Sequence, residues 1–205
     1  MTDAYARSSP GILCVLYLEH AAHEAEQAAR DLQRWFLALP LMHLALGAIL
    51  VPALAGSASM GAYIEEHQRE WEAYFDALDD EDHPFPDADH MQPVSALLRR
   101  VQKKKEPEMQ GRPVVLTQQQ KKDLGRFTYY RNQLEHVRPG SWSLEVAGLP
   151  RVLAAVAEVI HQLLQERRCC TDLEEQDEVR AEHAITQIRT MAAGRSHQGD
   201  ADAGA

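Results

Sequence analysis

Apolar residues recur every three or four positions along most of this chain, the spacing of helices that each bury one face. The first such stretch runs from about Ile12 to Leu39. In it Leu18, Ala22, Ala25, Ala29, Leu32 and Phe36 alternate steps of four and three, and the alanines let a neighbouring helix come close. Trp35 to Gly56 is the most apolar part, interrupted by Pro40, His43 and Pro52. A membrane span needs about 20 apolar residues. Two prolines, a histidine and the lack of a Lys or Arg anchor directly after this stretch favour a buried central helix over a span. Pro40 suits its start, and Pro52 with Gly56-Ser57-Ala58-Ser59 suits its end. A further helix is expected from Ser59 to about Leu78. Tyr63, His67, Trp71, Tyr74, Phe75 and Leu78 would line one side as core or dimer surface, while Glu65, Glu66, Glu70 and Glu72 face water.

After an acidic, proline-bearing loop from Asp79 to Gln92, a short helix runs from Pro93 to about Lys105 with Val94, Leu97, Leu98 and Val101 inward. Pro107, Gly111 and Pro113 make the next stretch a loop. The following helix has firm punctuation at both ends. Thr117 with Gln120 three residues later forms a capping box, and Pro139 stops the helix. Leu124, Phe127, Tyr130, Leu134 and Val137 form its apolar stripe. Gly140-Ser141-Trp142-Ser143 is a turn, with Trp142 expected to pack over the helix end. Gly148 and Pro150 open the cleanest amphipathic stretch, which carries Val152, Leu153, Val156, Ile160, Leu163 and Leu164 to about Arg168. A charged last helix is expected from about Asp172 to Met191, with a thin stripe of Leu173, Val179, Ile185 and Ile188. Residues 1–10 and 194–205 read as disordered ends. The expectation is one all-α domain over residues 11–193, a bundle of five to seven helices.

At 205 residues and 45% apolar, the chain is long enough for one real core. Cys14, Cys169 and Cys170 form neither a disulfide framework nor a zinc pattern, which points to a reducing, cytoplasmic setting. Arg7 before the apolar run Ile12 to Leu18 resembles a secretory signal. Glu19, His20, His23 and Glu24 stand where a cleavage site would need small residues, and that reading is set aside.

Charge adds a direction. The chain carries −10, yet Arg99 to Arg138 holds eleven Lys and Arg against four acids, a local +7 that leaves −17 elsewhere. Positive charge gathered in an acidic protein is what a phosphate-backbone contact needs. Lys121, Lys122, Arg126 and Arg138 are the candidate RNA contacts. Lys103-Lys104-Lys105 also reads as a cluster that meets the negative end of a helix dipole.

The candidate chemistry lies within that basic segment. Asn132 and His136 are four apart and share a helix face, with Arg131 at the edge of the apolar stripe. His136 falls in the last helical turn, where the dipole favours the imidazolium. An imidazole that titrates near neutrality beside a guanidinium suits general acid–base work on a phosphodiester. Equally, Arg131 and Glu135 form a surface i,i+4 pair, and His136 reads as an ordinary cation near a helix end.

Arg131-Asn132-x-x-x-His136, late in a helix of an all-helical chain, resembles the HEPN superfamily, whose signature is an Arg, a spacer and a His, often with a polar residue directly after the Arg. The resemblance covers this helix and the next. It implies a metal-independent endoribonuclease of toxin–antitoxin or phage-defence type, without a cofactor. It further implies a homodimer whose cleft brings Arg131 and His136 of both subunits together, with Asn132 in support. Other members are not nucleases, so the alternative is a non-catalytic module that dimerises or binds a partner protein, such as an antitoxin, or a nucleotide. Neither reading calls for a membrane.

Two further groups were weighed for metal. In Glu19-His20-x-x-His23-Glu24, carboxylates and imidazoles stand four apart, and Glu158-x-x-His161 repeats part of a bundle-type ligand set. Carboxylate-bridged metal bundles use two such Glu-x-x-His motifs, and this chain has one, so solvated pairs are expected instead.

Overall fold

The computed structural model describes residues 8–56, 60–78, 84–86, 90–107, 109, 111–135, 143–166 and 170–201, except for the side chains of 135 and 195–201. These residues form seven α-helices and no strand: α1 (Pro10–Gln27), α2 (Trp35–Ala53), α3 (Glu65–Asp76), α4 (Val94–Arg100), α5 (Gln118–Glu135), α6 (Leu149–Leu164) and α7 (Glu175–Ala201). The all-α expectation is met.

Ser9 opens α1. Its hydroxyl accepts from the Ile12 amide at 3.2 Å and donates to Asp172, which lies just ahead of α7. Ala21, Ala22, Ala25 and Ala28 are buried, and α1 packs closely along α2 and α7. The single helix expected from Ile12 to Leu39 is in fact two. The chain turns after Gln27, where Asp31 accepts from the Gln33 amide at 3.0 Å and opens a 3-10 turn, Leu32–Arg34, that leads into α2. The turn throws Leu32 outward, 57% exposed.

α2 is the central helix, packed against α1, α4, α5 and α6. By length and composition Leu32–Ala53 is apolar enough to cross a membrane, with a mean hydropathy of 2.0. Trp35, Leu39, Met42, Leu46 and Ile49 bury one side of it completely or nearly so. Pro40 lies inside α2 instead of opening it, because the turn at Leu32 has already started the helix. Pro52 stands beside the end, as its missing amide requires.

α3 begins at Glu65, later than expected, with Glu65 and Glu66 at the positive end of its dipole. Its aromatic side does not enter the core. Only His67 is buried, while Phe75 and Leu78 are exposed. Trp71 and Tyr74 instead pack with Phe85 at ring-centroid distances of 5.0 and 5.2 Å, a knot of rings on the surface. Backbone bonds tie the start of α3 to the strand-like passage before α4: Ile64 to His90 and Gln92 to Ala62, both 2.9 Å.

α4 ends well before Lys105, and it turns Leu97, Leu98 and Val101 inward as expected. Arg100 braces the turn that follows by donating to Glu106 at 2.8 Å and to the Gly61 carbonyl. At the start of α5 both halves of the capping box form. The Gln120 amide donates to the Thr117 hydroxyl at 3.2 Å, and the Thr117 amide donates to the Gln120 side chain at 2.8 Å. Leu124, Phe127 and Tyr130 are buried, as the stripe predicts.

α6 is the best-buried of the described helices, with Val152, Leu153, Val156, Ile160 and Leu163 fully enclosed. Gly148 caps it at φ 80°, a backbone conformation that glycine adopts without strain. On α7 the inward residues are Ala181, Ala184, Ile185 and Ile188, whereas Val179 is 64% exposed. α7 continues past Met191 to Ala201. Cys14 and Cys170 are buried, and burial, reinforced by neighbouring Cys170, pushes the Cys14 thiol far up.

Candidate functional site

Arg131 and Asn132 lie in the last described turn of α5, side by side, and the Arg131 guanidinium donates to the Asn132 amide oxygen at 3.1 Å. Arg131 is half-buried and Asn132 exposed. Both open on a hollow of about 100 Å³ where α5 meets α2 and α4. His43 of α2 and Phe127 of α5 form its inner wall, with ring centroids 6.3 Å apart. Pro93, Val94 and Ser95 close it from the α4 side. His136 and Arg138 lie outside the described residues, as do Val137, Pro139 and Trp142.

A second hollow, about 290 Å³, continues along the α4–α5 seam and shares Ser95, Leu98 and Thr128 with the first. Arg99, Gln102 and Lys121 stand around it, and Leu98, Leu124 and Gly125 form its floor. Among the described residues no acidic side chain lines either hollow. Gly125 is notable because nothing lies within 4 Å of the place a Cβ would occupy. Packing does not require glycine there, although a mid-helix glycine costs about 0.5–1 kcal/mol relative to alanine.

The four basic candidates divide. Lys121 is exposed and lines the second hollow; Lys122 is exposed beside it. Arg126 turns the other way. It donates to the Tyr130 hydroxyl at 3.1 Å and reaches Glu145 and the Ala147 carbonyl, both at 3.4 Å. The bond to Tyr130, backed by the charges of Glu145 and Asp123, holds its guanidinium above the usual value. Its visible use is to bind α5 to the passage before α6. Elsewhere in the basic segment, Arg100 and Lys103 meet Glu106, and Arg112 meets Glu166. The cations on the seam itself are therefore Arg99, Lys121 and Arg131.

The carboxylates weighed for metal have arginine partners. Glu19 takes both arms of Arg180 from α7, and Glu24 meets Arg34 at 3.2 Å. Glu158 accepts from Arg189 and Gln162, while His161 lies 3.0 Å from Glu182. These contacts fasten α7 and the 3-10 turn onto the bundle. A larger hollow between α6 and α7, about 410 Å³, is walled by Glu175, Glu178 and Glu182, a charge that repels phosphate.

His43, Arg99 and Gly125 are the residues that sequence reasoning missed. One signal was present for His43, a lone imidazole in the apolar stretch from Trp35 to Gly56. Arg99 and Gly125 meet only when α4 lies against α5. No model of a protein family, no characterised protein and no solved structure matches this chain.

Proposed function

We propose that this chain is a metal-independent endoribonuclease of HEPN-like type, cytoplasmic and homodimeric, belonging to a toxin–antitoxin or phage-defence system. One observation carries the reading: Arg131 and Asn132 sit together on a hollow whose described lining holds cations, an imidazole and no acid. His136 follows Asn132 by four residues in the sequence. In the proposed reaction the ribose 2′-oxygen attacks the adjacent phosphorus, the P–O5′ bond breaks, and a 2′,3′-cyclic phosphate and a 5′-hydroxyl result; His136 takes the 2′-OH proton or protonates the departing 5′-oxygen, and water is the partner for the other proton. Arg131 stabilises the charge that builds on the phosphoryl oxygens, and Asn132 orients the imidazole or the phosphate. Preorganised donors of this kind act most strongly where water is scarce, and Arg131 is half withdrawn from it.

The test is RNA cleavage in excess EDTA by wild type, His136→Ala and Arg131→Ala, with analysis of product ends. Cleavage by wild type that leaves 2′,3′-cyclic phosphate and falls at least about a hundredfold in both variants is expected, the usual scale for a lost acid–base or oxyanion group. Equal cleavage by wild type and variants would remove the motif from the chemistry. The surface ring knot, in which Phe75 and Phe85 are exposed over half-buried Trp71 and Tyr74, favours a second reading, a non-catalytic module that holds a partner protein such as an antitoxin.

A further inference from the structure

We infer that the α4–α5 seam is a nucleotide subsite that holds one base of a single-stranded RNA beside the Arg131–Asn132 hollow. This rests on the nuclease reading for its substrate and extends it to a place where the strand is gripped but not cut.

Three observations converge. The first is shape. The seam hollow holds about 290 Å³ and joins the Arg131 hollow through Ser95, Leu98 and Thr128. From Lys121 to Arg131 along α5 is about 15 Å, enough for adjacent nucleotides of an extended strand. The second is the floor. Leu98 and Leu124 are apolar, and between them Gly125 bares helix backbone with nothing within 4 Å of a would-be Cβ. A flat ring can lie on that floor; a side chain at 125 would stand in its place. A helix that keeps a glycine where no neighbour demands one keeps the space open. The third is charge. Arg99 and Lys121 stand at the rim, Arg131 at the far end, and no acid lines the described walls of a chain that is −10 overall. Stacking on an apolar floor with cations along the backbone is how single strands are held without sequence readout. Ser95 and Gln102 also line the hollow, and the Gln102 amide nitrogen donates to the Leu98 carbonyl at 2.7 Å.

The experiment uses the full chain and a fluorescein-labelled short oligoadenylate with 2′-O-methyl riboses, which cannot undergo 2′-OH attack. Binding is read by anisotropy, folding by thermal melting. Gly125→Leu is expected to weaken binding at least about tenfold while melting stays the same or rises, because nothing lies within 4 Å of the new Cβ and leucine favours a helix over glycine. Arg99→Gln with Lys121→Gln is expected to weaken binding and flatten its salt dependence. Wild type that binds no oligonucleotide, or Gly125→Leu that binds equally well, would overturn the subsite. Displacement by inorganic tripolyphosphate alone, with Gly125→Leu unaffected, would reduce the seam to a patch of charge and overturn it too. Cleavage of unmodified RNA is measured separately. Binding in the seam without cleavage would sink the nuclease reading and leave the subsite standing.

Discussion

Asp123 is 1% exposed and takes two bonds from Arg151, at 3.0 and 3.1 Å, with a third from Gln119 at 3.0 Å. The two partners are unequal, because the Arg151 side chain is 54% exposed. Removing Arg151 leaves a buried carboxylate; removing the carboxylate leaves a guanidinium that water reaches. Arg151→Ala should therefore destabilise by about 2–3 kcal/mol, since Gln119 still donates, and Asp123→Ala by about 1–2 kcal/mol. Urea denaturation of both variants checks the order, and the reverse order would mean the carboxylate is not the enclosed partner. Two other acids set the pH response. The Arg100 hydrogen bond holds Glu106 below its usual 4.5; burial opposes this, and the charges of Arg100 and Lys103 add to it. Burial would raise Glu158, but bonds from Gln162 and Arg189 and the nearby positive charge bring it below 4.5. A depressed native value means the unfolded chain binds protons first. Their stabilisation is thus complete above about 4.5 and is lost as pH falls through the native values. Melting temperature against pH should drop below that point, and Glu106→Gln with Glu158→Gln should make the drop shallower. Sequence spacing exposed contacts that close locally, such as Thr117 with Gln120, three apart. It could not pair Asp123 with Arg151, 28 residues on, or Glu19 with Arg180, 161 residues on.

Among the helices, the starts of α5 and α6 were legible because they carry physical signals: a capping box at one, a glycine and a proline at the other. The break between α1 and α2 was not. The apolar rhythm runs straight through Ala28 and Ala29, with no glycine or proline to mark the turn, and Asp31 alone does the capping. On α3 the core half of the reading fails, since its spacing is that of a buried face but the rings pack on one another outside the core. Two glycines allow a test of the element-level argument. Gly125 sits in mid-helix over open space, so Gly125→Ala should stabilise by about 0.5–1 kcal/mol. Gly148 caps α6 at φ 80° with an Arg126 nitrogen 3.3 Å from a would-be Cβ. There Gly148→Ala should destabilise by about 1–2 kcal/mol. Chemical denaturation of the pair reads both signs at once. A destabilised Gly125→Ala would mean that the seam is closed in solution.

For the whole molecule, the main unbalanced feature is the outer side of α2. Leu37 and Leu44 are exposed, 50% and 47%, and Leu41, Ala48 and Val51 are only partly covered. These five positions step by four, three, four and three, the rhythm of a coiled-coil seam, over about 21 Å of helix. The opposite side of the same helix is already enclosed by α1, α4, α5 and α6. A second copy suits this seam better than solvent does, because a heptad-like stripe is complementary to itself across a twofold axis. His43, which walls the Arg131 hollow, is the residue next to Leu44. A dimer closed along α2 therefore sets the two hollows near one another, the arrangement that the proposed cleft requires. Sedimentation equilibrium should find a dimer that Leu44→Arg converts to a monomer with its helical signal intact, since Leu44 is already exposed. Cleavage should fall with dissociation if the cleft needs both subunits. A wild type that is monomeric at every concentration and floats with phospholipid vesicles would assign the stripe to a membrane surface instead. Leu32–Ala53 has the composition for that, and the twofold cleft would then lose its support.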